Sequence, residues 1–218
     1  MFSPEKIESS CMIQDSCIDK ITSFHRACLE AVDWPHEGSE NQNSNSLWNA
    51  IKENHKNNCL LWAEEDLARR RLASDKEIAM NKRNIDRYNQ ARNNAIEAID
   101  EHLLAWAMGQ PQFSEAKAMN SESAGSIVDR LSILSLKKFA FEKQIERTDT
   151  EESHKNICKE KLFQLTRQEQ DLKLCYSMLI EDAKNGTVRW KIYRQFKMYN
   201  DPNLNPQIYL EIPNQADK

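Results

Sequence analysis

From Ile18 to Leu179 apolar residues recur three and four positions apart, the spacing that gathers side chains on one face of an α-helix and on no face of a strand. Little interrupts that rhythm. The 218 residues hold only four Gly and six Pro, and 29% charged against 39% hydrophobic residues suits long amphipathic helices better than a sandwich or an α/β sheet. The expected fold is all-α: a bundle of about five antiparallel helices with an extended C-terminal tail. Residues 1–218 form one domain in this reading, with a loop at 35–46 and the tail, 187–218, packed on the bundle.

The boundaries follow from local chemistry. Ile18, Ile21, His25, Cys28 and Val32 mark a first helix from about Asp15 to Asp33, stopped by Trp34-Pro35. A second stripe, Leu47, Ile51, Leu61, Ala68 and Leu72, ends where Ser74-Asp75-Lys76-Glu77 forms a capping box that starts a third helix. Ile78, Ile85, Ile96, Ile99, Leu103 and Trp106 carry this helix to Gly109-Gln110-Pro111. Ser123 or Ser126 caps a fourth helix bearing Ile127, Leu131, Leu134, Phe141 and Ile145. A fifth runs from Thr150 to Lys184, its stripe broken only by Glu169, and stops at Asn185-Gly186. Beyond it Val188, Trp190 and Ile192 alternate like a strand, whereas Trp190, Tyr193 and Phe196 step like a helix.

Several classes of function fall away. The net charge of −4 lacks the basic footprint of a nucleic-acid-binding domain, so nucleic acid is not expected as a partner. Six scattered cysteines without a Cys-x-x-Cys pair read as reduced thiols in a cytoplasmic protein rather than as metal ligands. No run of eighteen apolar residues is present, so no membrane span is expected.

More informative are polar residues that share faces with the apolar stripes. Lys82, Asn89 and Arg92 lie on the isoleucine face of the third helix, and Glu65 on that of Leu61, Ala68 and Leu72. A charge there needs a partner, a wet cleft or a ligand. Arg92 with Glu65 is the expected pair. The alternative is a stripe that drifts and leaves the head of Arg92 in solvent.

Three groups of segments, Leu60–Arg70 with Lys82–Asp100, Met119–Leu136, and Gln195–Pro206, resemble the bacterial domain-of-unknown-function family 4254. Ser123-Ala124 stands where relatives tend to have Thr-Pro. The resemblance implies a helical protein that accompanies glycosyltransferases of cell-surface polysaccharide assembly, and so a protein partner of that kind. Matched to the family's polar positions, it marks Glu65, Asp66, Arg69, Asn89, Arg92, Asp129 and Arg130; with Lys82 these form the candidate polar cleft.

The chemistry is incomplete for every familiar enzyme class. Glu64, Glu65 and Asp66 opposite Glu97 and Asp100 approach the magnesium site of helical nucleotide pyrophosphatases, but Ala68 stands where a further acid is needed. Glu151-x-x-His154 has no second copy, as a di-iron bundle requires. No catalytic residue, metal or cofactor is therefore assigned. Gly125 and Ser126 at a helix start, with Arg194 and Lys197 from the tail, form a candidate anion-binding surface. The chain reads either as an accessory protein or as a binding protein or small enzyme for a phosphorylated or otherwise anionic metabolite.

Overall fold

The computed structural model describes residues 17–36, 46–198 and 201–210. Its order is α1 (Cys17–Glu30), α2 (Leu47–Leu67), α3 (Asp75–Met108), a 3₁₀ turn (Phe113–Glu115), β1 (Ala118–Met119), α4 (Ala124–Glu146), α5 (Glu152–Lys184), β2 (Val188–Arg189) and a short α6 (Pro206–Tyr209). The chain is an all-α bundle of five substantial helices with a tail. Most of the expected 35–46 loop and Tyr199 lie outside the described residues.

Helix starts obey the capping chemistry. Ser74 accepts from the Glu77 amide while the Glu77 carboxylate takes the Ser74 amide, a complete capping box. Ser123, rather than Ser126, caps α4. Two stripe positions lie past helix ends and are fully exposed: Val32 beyond Glu30, and Leu72 in the turn after Leu67.

α2 packs along α3 and α4 along α5 as two hairpins, and α4 joins them by meeting α1, α2 and α3. The core runs from Ile18 and Ile21 through Ile51, Ile99, Leu103, Ile127 and Leu131 to Leu172, Tyr176 and Leu179. Glu169, the break in the α5 stripe, is buried and meets Lys138 at 2.6 Å. After α5, Gly186 adopts φ of 68°, a conformation that favours glycine, and turns the chain into β2.

The two residues of β2 resolve the ambiguity of the tail. Val188–Arg189 pairs in parallel with Ala118–Met119, and Trp190 enters the core edge-on to Phe113 at 5.3 Å. Arg194 then clasps Glu97 at 2.9 Å and Glu101 at 2.6 Å, laying the tail along α3.

Candidate functional site

Between Ile51 and Leu61 the α2 stripe has a gap of nine residues, and Asn54, His55 and Asn58 fill it. All three are buried, facing Asp129 and Ser132 of α4. The Asn54 amide donates to Asp129 Oδ1 at 2.8 Å, and the Asn58 amide donates to the same oxygen at 3.0 Å. Arg92 of α3 completes the group with a fork, Nε to Oδ1 at 2.8 Å and Nη2 to Oδ2 at 2.5 Å. Its charge is stabilised first by these bonds to Asp129, with burial opposing.

The network continues in one consistent direction of donation. His55 Nε2 lies 3.1 Å from the carbonyl of His25, an acceptor only, so this nitrogen carries the proton. His55 Nδ1 then accepts from the Ser132 hydroxyl at 2.8 Å, and Ser132 Oγ accepts from Asn58 at 3.0 Å. Burial holds His55 down to about 4, against the raising effect of the His25 carbonyl. His25 stacks on it at 4.5 Å and is itself held well below the usual imidazole range, by burial and then by His55. Trp34 stacks on the same imidazole and donates to Cys59 Sγ at 3.2 Å; burial nonetheless pushes that thiol up to about 11. Ser132 and His55 are wholly inaccessible, so their bond fastens α2 to α4 rather than arming a nucleophile.

Above the network lies a cleft of about 310 Å³, lined by Leu61, Trp62, Glu65 and Asp66 of α2, Arg69 of the turn that follows it, Arg92 of α3, and Ile133 and Leu136 of α4, with Asn58 at its base. It gathers four of the eight residues expected in a polar cleft: Glu65, Asp66, Arg69 and Arg92. Asp129 lies behind Arg92. The expected Arg92–Glu65 pair is replaced. Glu65 takes Arg69 from the turn just past its own helix, and Arg92 takes Asp129, whose carboxylate lies deeper and already holds two amides. Lys82 pairs with Asp86 on the outer part of α3, and Asn89 is half-buried without lining the cleft. Arg130 meets Glu122 and lines a separate depression with Leu172 and Cys175.

The start of α4 carries a carboxylate from within the chain. Gly125 N–H donates to Asp100 Oδ1 at 2.6 Å, and Ser123 Oγ donates to Asp100 Oδ2 at 2.5 Å. Asp100 thus takes the place expected for an external anion, because the amides of a helix N-terminus attract whichever carboxylate is nearest. The Ser126 amide turns back to Ser123 Oγ. The remaining candidates separate. Arg194 is spent on Glu97 and Glu101, whereas Lys197 lies close enough to Arg92 to feel its charge. The Lys197 ammonium is lowered by partial burial, then by Arg92, with Asp86 opposing. Among the described residues no three His, Cys, Asp or Glu side chains gather to hold a metal ion.

Asp100 gives a pH signature. Burial raises its carboxyl to about 6, outweighing the bonds from Ser123 and Gly125, and Glu97 adds to the rise. A raised acid contributes stability that is complete below the unfolded value of 3.8 and is lost as pH climbs through about 6. Over that window the loss amounts to about 3 kcal/mol. Asp100→Asn keeps an acceptor for the Gly125 amide and should flatten this slope in urea unfolding between the two values; an unchanged slope would assign it to another group.

Residues 48–192 match the family described as protein of unknown function (DUF4254). The chain belongs to this family. The matched stretch runs from α2 through β2 and contains the whole Asn54–His55–Asn58–Arg92–Asp129–Ser132 network; α1, Arg194 and Lys197 fall outside it, as does the Gln195–Pro206 segment of the resemblance. No curated protein and no solved structure matches the chain. Among the described residues no helix is long and apolar enough to cross a membrane.

Proposed function

We propose that this chain binds a small anionic molecule in the α2–α3–α4 cleft, its anionic group received by Arg92 and Lys197. The observation that carries the reading is Arg92 lining the cleft, its guanidinium pinned by the buried Asp129 yet still partly exposed. The Lys197 ammonium, disfavoured by partial burial and then by the charge of Arg92, is offered as a second cation from the tail. Arg92 is already set in a receiving position. Its two bonds to Asp129 use Nε and Nη2 and leave Nη1 out, while the side chain remains 24% exposed. Asp129 fixes the guanidinium, so little side-chain entropy is lost on binding.

Calorimetric titration with a panel of carboxylates and phosphates, on the intact chain and on Lys197→Ala, tests this. Lys197 lies on the tail and anchors no helix, so the variant should fold normally. Loss of one charge-assisted contact should weaken binding by about ten-fold or more at low salt. Equal affinities for the two proteins, or no binding of any anion, would sink the reading.

One observation favours a protein partner as well. Phe163, Leu174 and Met178 share one face of α5 and are 64%, 60% and 55% exposed. This apolar stripe supports the accessory role beside a glycosyltransferase that the family resemblance implies.

A further inference from the structure

We propose that a second site, between α1, α4 and α5, takes a small compound that joins one primary ammonium to a hydroxylated body. A cavity of about 510 Å³ opens there, on residues that the α2–α3–α4 cleft does not use. Arg26 of α1 bonds Glu30 at 2.6 Å and also Glu142 of α4, while Lys138 of α4 meets the buried Glu169 of α5 at 2.6 Å. All these side chains line the cavity. Three carboxylates stand against two cations, so the lining carries one negative charge in excess. Glu30 accepts through Oε1, and Glu142 and Glu169 through Oε2; among the described residues the other oxygen of each carboxylate accepts no hydrogen bond. Ser135 adds an independent sign of a ligand. It lines the same cavity and is only 8% exposed, yet among the described residues its hydroxyl has no hydrogen-bond partner. A polar group so deeply set ordinarily pairs with protein, water or a ligand.

Charge selects the ammonium. Its N–H groups can donate to the carboxylate oxygens left over, and its charge cancels the excess, whereas a carboxylate or phosphate would add to it. Arg26 and Lys138 oppose it little, because each already lies against a carboxylate that offsets its field. The walls select the body. Ala27 is the one apolar residue among the described residues that line the cavity, so a hydrocarbon there would strip water from polar groups and give them nothing in return. Hydroxyls can instead exchange hydrogen bonds with Ser135 and with the N–H groups of Lys138 that Glu169 does not take. The volume falls within the range of ligand sites and has room for one small ring.

The test titrates the intact chain by calorimetry with three probes matched in size, at low salt and about pH 6.5, where both amines are charged. Glucosamine carries the ammonium and the hydroxyls, cyclohexylamine the ammonium alone and glucose the hydroxyls alone. Glucosamine should bind at least about ten-fold more tightly than either. Glu142→Gln and Glu30→Gln each remove the excess charge and leave Arg26 its other carboxylate, and each should weaken glucosamine by about ten-fold. Ser135→Ala should weaken it by about three-fold or more, the loss of one neutral hydrogen bond. Absence of glucosamine binding, an affinity that neither glutamine variant lowers, or either partial probe binding as tightly as glucosamine would overturn the proposal. Because the two sites share no residue, none of these outcomes bears on the anion-binding reading of the α2–α3–α4 cleft.

Discussion

Arg92→Leu should destabilise the protein by about 3 kcal/mol or more, because it leaves the Asp129 carboxylate buried with only two amides for company. Arg92→Ala should cost nearly the same. Were Arg92 mainly packing, leucine would be much the milder replacement; if the loss comes from the uncompensated charge, side-chain volume matters little. Asp129→Asn added to Arg92→Leu should recover more than half of the loss, since the asparagine oxygen still accepts from Asn54 and Asn58. Urea unfolding of the four proteins in the cycle gives the coupling directly. Additive losses would show that the fork between α3 and α4 carries no weight in solution.

Gly125→Ala should lower the melting temperature by about 10 °C, the equivalent of roughly 3 kcal/mol in a chain of this length. A Cβ built there stands 2.7 Å from both the Ile96 carbonyl oxygen and Asp100 Oδ1. The carbonyl belongs to the backbone of α3 and cannot turn aside, so α4 must move away. The movement breaks the Gly125–Asp100 bond and strands a buried amide and a buried carboxylate. A shift of only a degree or two would mean that α3 and α4 approach less closely at this point.

The helices are legible in the sequence because their signals are local. The capping box at Ser74 and the stop at Asn185-Gly186 each need only a few neighbouring residues, and both stand where the spacing puts them. The strand pair is not, because Val188 and Ala118 lie seventy residues apart and two-residue strands carry almost no periodicity. Within the site, the place of Arg92 on an apolar face does demand a carboxylate, yet the partner comes from α4 rather than α2. Spacing along one helix says which face a side chain shares and nothing about which neighbour that face meets. Asn54, His55 and Asn58 escape any reading that follows only the apolar residues of α2. The nine-residue gap between Ile51 and Leu61 is their trace, since a continuous helix must place something on that face, and here it is polar. Glu169 is the same kind of signal on α5, a break in a stripe that marks a buried pair.

The bond from His55 to the carbonyl of His25 bears on where likeness between sequences ends. α1 precedes the stretch that matches the family, yet it closes the α2 side of the core with Ile18 and Ile21 and gives His55 its acceptor. That acceptor is a main-chain oxygen, which every amino acid possesses. The side chains that answer it are His55, Ser132 and Asn58, and α1 adds the imidazole of His25 stacked on His55. A fragment trimmed to residues 48–192 would strip His55 of its acceptor and of the stacked His25, and would discard the Arg194 clasp at the other end. The outline of the matched region is thus narrower than the outline of the cooperative structure.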